Sequence, residues 1–395
     1  MKISLFILLA FISLTQVACK GLNFDQYERG DLVSSKLLSS HSLKTMKSVW
    51  SISRYSAKYP VKAYKITYET IDDEGDDIRA SGLLVVPQKS LRRRSPLFVH
   101  HHGTITQNTR APSYQHKATH ILSKTASLGY IVIAPDYLGY GKSDNINHPY
   151  LHAKTLASSS VDMLRASKEW LKKHRIRSND QLFLEGYSEG GYAAMATHKE
   201  IEKHYDDDFT VTASAPAAGP YDLSTTARTL LLEDRLEFPT SIAFVIKAYD
   251  DLYSSNLVND AIKPNYRNIV NNFINDGDYS SREIDKLLGN RTDRFLRGDF
   301  INDIRDETET ELTDSLRKNN IYNWKPKAPI RLIHGKDDKI VPYANSVKAV
   351  DKMIARGATD IELIDCDLAI ARHHVCSVFA YDYSLIFFYG LADDL

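Results

Sequence analysis

What the sequence lacks narrows it first. It has no net charge: 50 Lys and Arg balance 50 Asp and Glu. There is therefore no overall positive field of the kind that draws a protein to nucleic acid. The one basic run, Arg92-Arg93-Arg94, lies between Pro87 and Pro96 and reads as a solvated loop between strands. Internal repeats and low-complexity tracts are missing, which excludes repeat arrays and biased linkers. Past the first residues no apolar run is long enough to span a bilayer. With three cysteines in 395 residues, a disulfide-dense scaffold is excluded as well. What remains is a globular composition, 43% hydrophobic and 25% charged, in a chain that suits one large domain with an insertion or two smaller domains.

The N-terminus carries an export pattern. Lys2 supplies a short positive segment, Ile3 to Leu14 an apolar one, and small and polar residues follow. The expectation is a signal peptide over residues 1–19. "TQVACKG" resembles a lipoprotein cleavage site at Ala18-Cys19, with Cys19 the candidate for lipidation and attachment to the cell envelope. Gln16 stands where that pattern prefers an aliphatic residue, so ordinary cleavage and release into the periplasm or medium is the alternative. Outside the cytoplasm the two remaining cysteines, Cys366 and Cys376, form a candidate disulfide.

The body alternates strand-like and helix-like segments. Tyr64–Tyr68 and Ala80–Val86 flank "DDEGDD" as a hairpin. Leu97–His100, Tyr130–Ala134, Leu182–Glu185, Phe209–Ala213, Ile330–Ile333 and Ile361–Ile364 are further strands. Ala157, Val161, Leu164 and Leu171 mark one helix, and Val347, Val350 and Ile354 another that Gly357 ends. This order predicts an α/β fold with a mostly parallel sheet covered on both faces. Residues 221–324 break the alternation with amphipathic, charge-rich helical patches of low hydrophobicity. They predict a helical cap or lid inserted into a core of residues 20–220 and 325–395, docked marginally enough to open.

The chemistry gathers where strands end. "LFLEGYSEGGYAAMA" passes from an apolar strand to an alanine-rich helix through Gly186-Tyr187-Ser188-Glu189-Gly190, a G-x-S-x-G sequence in the setting of a nucleophile elbow. Ser188 is the candidate nucleophile, and the start of the helix offers N–H groups to a developing negative charge. A serine needs a base, and the base an orienting acid. "HGKDDKIVP" offers Asp338, with Asp337 as its rival, and "ARHHVCS" offers His373 or His374. Glu189 and Thr104 are the candidate donors of an oxyanion hole. His100, His101 and His102 invite a metal reading, but successive strand side chains point to opposite faces, so core packing and site lining explain them better.

Together "SGLLVVP", "HHGT", "APDYLGYGKSD", "GYSEGGYAA", "AAGPYDLS" and "HGKDDKIVP" make the chain resemble an α/β-hydrolase, and within that superfamily the secreted lipases and esterases. The resemblance implies a Ser-His-Asp triad, no metal or organic cofactor, and hydrolysis of a small-molecule or lipid ester through an acyl-enzyme. It also implies that the base stands three residues before a small residue at the start of the last helix, which selects His373 over His374. A serine peptidase or aminopeptidase of the same fold, and a non-catalytic binding protein on it, are the other classes.

Overall fold

The computed structural model describes residues 27–50, 55–306, 308 and 310–395. The leader segment and Cys19 lie outside the described residues. Nine strands form one sheet: β1 (Leu32–His41), β2 (Val61–Ile71), β3 (Asp77–Pro87), β4 (Arg94–His101), β5 (Ile131–Pro135), β6 (Arg177–Tyr187), β7 (Val211–Ala217), β8 (Ile330–His334) and β9 (Ile361–Asp365). Their order is β1-β2-β3-β5-β4-β6-β7-β8-β9. β1 to β3 are antiparallel and β3 pairs antiparallel with β5, while β5, β4, β6, β7, β8 and β9 run parallel. Parallel strands need crossovers, and helices supply them: α2 (Ile121–Leu128) between β4 and β5, α3 (Ala153–Lys173) between β5 and β6, and α4 (Glu189–His204) between β6 and β7, while α1 (Leu43–Val49) sits between antiparallel β1 and β2.

Alternation along the strands builds a core on each face. Phe98, Val132, Phe183, Ala213 and Ile333 pack with Leu122 and Ala126 of α2 and with Leu385 and Phe388 near the C-terminus. Leu97, Val99, Ile133, Leu182 and Leu184 pack with Val161, Leu164 and Trp170 of α3 and Ile201 of α4. The central strands read as continuous apolar runs because both faces are covered.

Between β7 and β8 lie α5 (Leu223–Leu231), α6 (Pro239–Leu252), α7 (Leu257–Ala261), α8 (Arg267–Asn272), α9 (Ser281–Leu288), α10 (Thr292–Phe295), α11 (Gly298–Arg305) and α12 (Glu311–Lys318). Then α13 (Ala344–Ala355) links β8 to β9, and α14 (His373–Tyr389) closes the fold. The α5–α12 segment is better packed than its charge-rich sequence suggests. Phe244, Ile246, Tyr249, Phe295 and Leu296 are fully buried, in one cluster with Tyr192 of α4 and Ile330 and Leu332 of β8. Tyr192 donates its hydroxyl to Asn319 O (2.6 Å), and Asn319 in turn accepts from Ala153 N (3.0 Å). The expectation of marginal docking is corrected: the apolar residues are spread thinly over many short helices, yet they converge on one side.

Three smaller differences have local causes. The edge strand β1 was not expected, since "LVSSKLLSSH" is half polar. Arg94 opens β4 rather than staying in the loop. The last helix begins at His373, so Cys376 lies inside its first turn rather than at its start.

Candidate active site

Ser188 sits between β6 and α4 with φ 61° and ψ −124°, a backbone conformation that L-residues seldom adopt. The glycines make the turn feasible. A Cβ on Gly190 would lie 2.0 Å from His101 O, and one on Gly186 would lie 2.2 Å from Gly190 O. Only hydrogen fits at either position. Ser188 N donates to Ala217 O of the neighbouring strand (2.9 Å), which fixes the corner.

Two further loops deliver side chains to this corner. His373 Nδ1 faces Asp338 Oδ2 at 2.6 Å, and His373 Nε2 faces Ser188 Oγ at 2.9 Å. A carboxylate only accepts, so Nδ1 carries the proton and Nε2 is left to accept from the serine hydroxyl. Asp338 is buried and its other oxygen accepts from Ile340 N and Val341 N, both at 2.9 Å. Burial alone would push this carboxyl up, but hydrogen bonds from His334 and His373 outweigh it and hold it well below the usual carboxylate range. His334 Nε2 stands 3.1 Å from Asp338 Oδ2, while its Nδ1 meets Ser346 Oγ at 2.7 Å.

The alternatives are placed elsewhere. Asp337 accepts from Ala371 N (3.2 Å) and does not meet the imidazole. His374 is exposed at the rim of the cleft, its ring edge-on to His373 at 5.6 Å between centroids. Partial desolvation of its ring against the cleft wall and the neighbouring His373 lower its pKa. Cys366 and Cys376 are bonded, Sγ to Sγ 2.08 Å, across the loop that leads into His373. Tyr187, just before the serine, donates its hydroxyl to His373 O (2.6 Å) and stacks at an angle on the ring.

Thr104 borders the same cleft as Ser188 and His373, and its hydroxyl meets Tyr150 Oη at 2.9 Å. Glu189 is the first residue of α4, so its N–H has no intrahelical acceptor. Its buried carboxylate meets His148 Nε2 at 2.7 Å, and His148 Nδ1 meets Leu138 O at 2.6 Å. Sequence reading missed this pair, whose members stand 41 positions apart.

The three consecutive histidines part company. His100 pairs with Glu185; His101 meets Glu185 O and Thr197 Oγ1, both at 3.1 Å; His102 meets Gly103 O at 2.9 Å and Asp136 O at 3.1 Å. Among the described residues no cluster of three or more His, Cys, Asp or Glu side chains is arranged to hold a metal ion.

Ser188 opens onto two spaces. A narrow apolar one, about 40 Å³, runs under α5 and α6 between Leu223, Leu230, Phe238, Ile242, Val245 and Val341. A wider one, about 570 Å³, lies on the His373 side and is bordered by polar groups including His100, Glu237, Arg282 and Asp285. A serine hydroxyl hydrogen-bonded to an imidazole that a carboxylate orients, beside a helix N-terminus and open to two spaces, is an arrangement capable of acyl transfer.

The comparisons agree. The model of the secretory lipase family matches residues 108–382. The rice cell wall degrading esterase LipA from Xanthomonas oryzae is similar over 91% of this chain and 97% of its own, with TM-score 0.83 and 26% identity. A Legionella pneumophila protein matches with TM-score 0.82 and 27% identity over 91% and 98% of the two chains. Candida antarctica lipase A, at 16% identity and TM-score 0.69 over 92% and 82%, shares the fold. No curated protein sequence matches the chain. The α/β-hydrolase fold, the matched family and the esterase neighbour meet in one conclusion: this chain belongs to the secretory lipase family and is a carboxylic ester hydrolase.

Proposed function

We propose that the ester is cleaved in two acyl transfers by Ser188, His373 and Asp338. Ser188 Oγ attacks the ester carbonyl carbon as His373 Nε2 takes the hydroxyl proton. Asp338 keeps the ring in the required tautomer and stabilises the imidazolium. The N–H groups of Glu189 and Thr104 receive the oxyanion, and losing one such donor costs about 3 kcal/mol of barrier. The proton passes to the departing alcohol. Water then attacks the acyl-serine by the same route and frees the acid.

The observation that carries this reading is the unbroken chain from Ser188 Oγ through His373 to Asp338, at 2.9 and 2.6 Å. The acyl group enters the narrow apolar space under α5 and α6, so residues 221–324 act as a cap that sizes it. Export follows from the family and the leader sequence, with Cys19 either lipidated or removed. The test is hydrolysis of nitrophenyl esters of several chain lengths beside aminoacyl-nitroanilides. Ester turnover that Ser188→Ala abolishes supports the reading. Faster anilide cleavage moves it to a peptidase, and turnover of neither class moves it to a binding protein.

A further inference from the structure

Behind Tyr187 lies a second cavity of about 280 Å³, between the sheet and α14. His100, Tyr187 and Ser377 line both this cavity and the wide polar space at Ser188, so the two adjoin on the His373 side. With the acyl group in the narrow apolar space, the wide polar space is what is left for the alcohol. The floor of the cavity holds a carboxylate. Glu185 is paired in register with His100 across β4 and β6, so both side chains leave the sheet on the same face. The residue is 3% exposed. One of its oxygens meets His100 Nδ1. Ala217, Val378 and Ala380 add apolar wall, and Ser377, Tyr381 and Ser384 add hydroxyl-bearing side chains.

A carboxylate kept out of bulk water is costly unless its oxygens have donors. Nothing in the reaction uses Glu185 or His100, and Glu185 Oε2 faces no donor among the described residues. We propose that the Glu185–His100 pair and its cavity form a subsite for the alcohol half of the ester, one that accepts hydrogen bonds from an alcohol bearing further hydroxyl groups. This rests on the reading of Ser188 as the nucleophile. A site built to accept from a hydroxyl discriminates strongly against the analogue lacking it, because the buried acceptor is then left unpaired.

The test compares 1-monobutyrylglycerol with propyl butyrate, which share the acyl group and the three-carbon alcohol. The wild-type protein should show kcat/KM at least about tenfold higher for the glyceryl ester. Glu185→Gln and His100→Phe should each bring that ratio close to one. A ratio taken from two substrates on one preparation does not depend on the folded fraction. A wild-type ratio near one overturns the proposal without any variant, and so does a ratio that both variants leave within twofold of wild type. Ser188→Ala, which should abolish both esters alike, tests the nucleophile separately from the subsite.

Discussion

The strand-end loops and the α5–α12 segment are held in place by different means. In the loops, nearly every polar group near Ser188 is buried and committed: Asp338 to two backbone N–H groups and two imidazoles, Glu189 to His148, His101 to Glu185 O and Thr197. In the helical segment most ion pairs are exposed and local, as with Arg291–Asp293, Arg297–Asp299 and Arg317–Asp314, and only Lys247–Asp251 among those described is part-buried. Such pairs contribute little, and apolar burial against α4 and β8 does the holding. The lesson is a division of labour: directional bonds fix Ser188, His373 and Asp338 relative to one another, while a non-directional core leaves the pocket wall free to change size by substitution.

The sharpest way to break this contrast is at the reacting atoms. Ser188→Ala, and separately His373→Ala, should lower ester turnover at least about a thousandfold with circular dichroism unchanged. His374→Ala should stay within about threefold. Loss of activity in His374→Ala with retention in His373→Ala would reassign the base. Next comes the pocket wall. Leu230→Trp should cut kcat/KM for long-chain nitrophenyl esters about a hundredfold while sparing the acetate, and an unchanged chain-length profile would remove the cap from the acyl site. A point substitution is the proper probe, because deleting α5–α12 would strip Tyr192, Ile330 and Leu332 of their cover.

Smaller effects test the loops as structure. Cys376→Ser, or reduction, should cost about 2–3 kcal/mol of stability for a bridge this short, read as a lower urea midpoint. Activity should fall further than the folded fraction does, since the bridged loop carries His373. Acid should also weaken the loop region. Burial pushes His101 down to about 3, so below its ordinary pKa the unfolded chain binds a proton that the folded chain refuses. Stability should therefore rise with pH from about 3 to about 6.5. His101 alone accounts for about 2 kcal/mol between pH 7 and pH 5. His120 and His152, pushed by burial to about 4, act in the same direction. His101→Gln should flatten the difference in urea midpoint between these two pH values, and an unaltered difference would assign it elsewhere.

How much of this was legible depended on distance along the chain. The turn that carries Ser188 and the loop that carries Asp338 were readable because their signals are short: a strand, a tight turn and small neighbours within a few residues. The resemblance picked His373 from a helix start at Cys376, whereas the contact of His373 with Ser188 and Asp338 depends on where α14 begins, at His373 itself, which adjacent residues cannot report. The partners of Glu189 and of Glu185 come from elsewhere in the fold, one through a loop after β5 and the other through the register of β4 against β6. The helical segment misled for another reason. Its apolar residues are few per helix, so each helix reads as solvated, and only their convergence makes a core.

The residues between the fixed letters of G-x-S-x-G are not blanks in this protein. Tyr187 holds the carbonyl of His373, and Glu189 is paired with His148. A pattern search treats both positions as free of information, yet each ties the serine to a segment far away in sequence. A saturation library over these five residues together with position 148 should therefore yield far fewer active clones than the notation suggests, and survivors changed at position 189 should be found mainly alongside compensating changes at position 148.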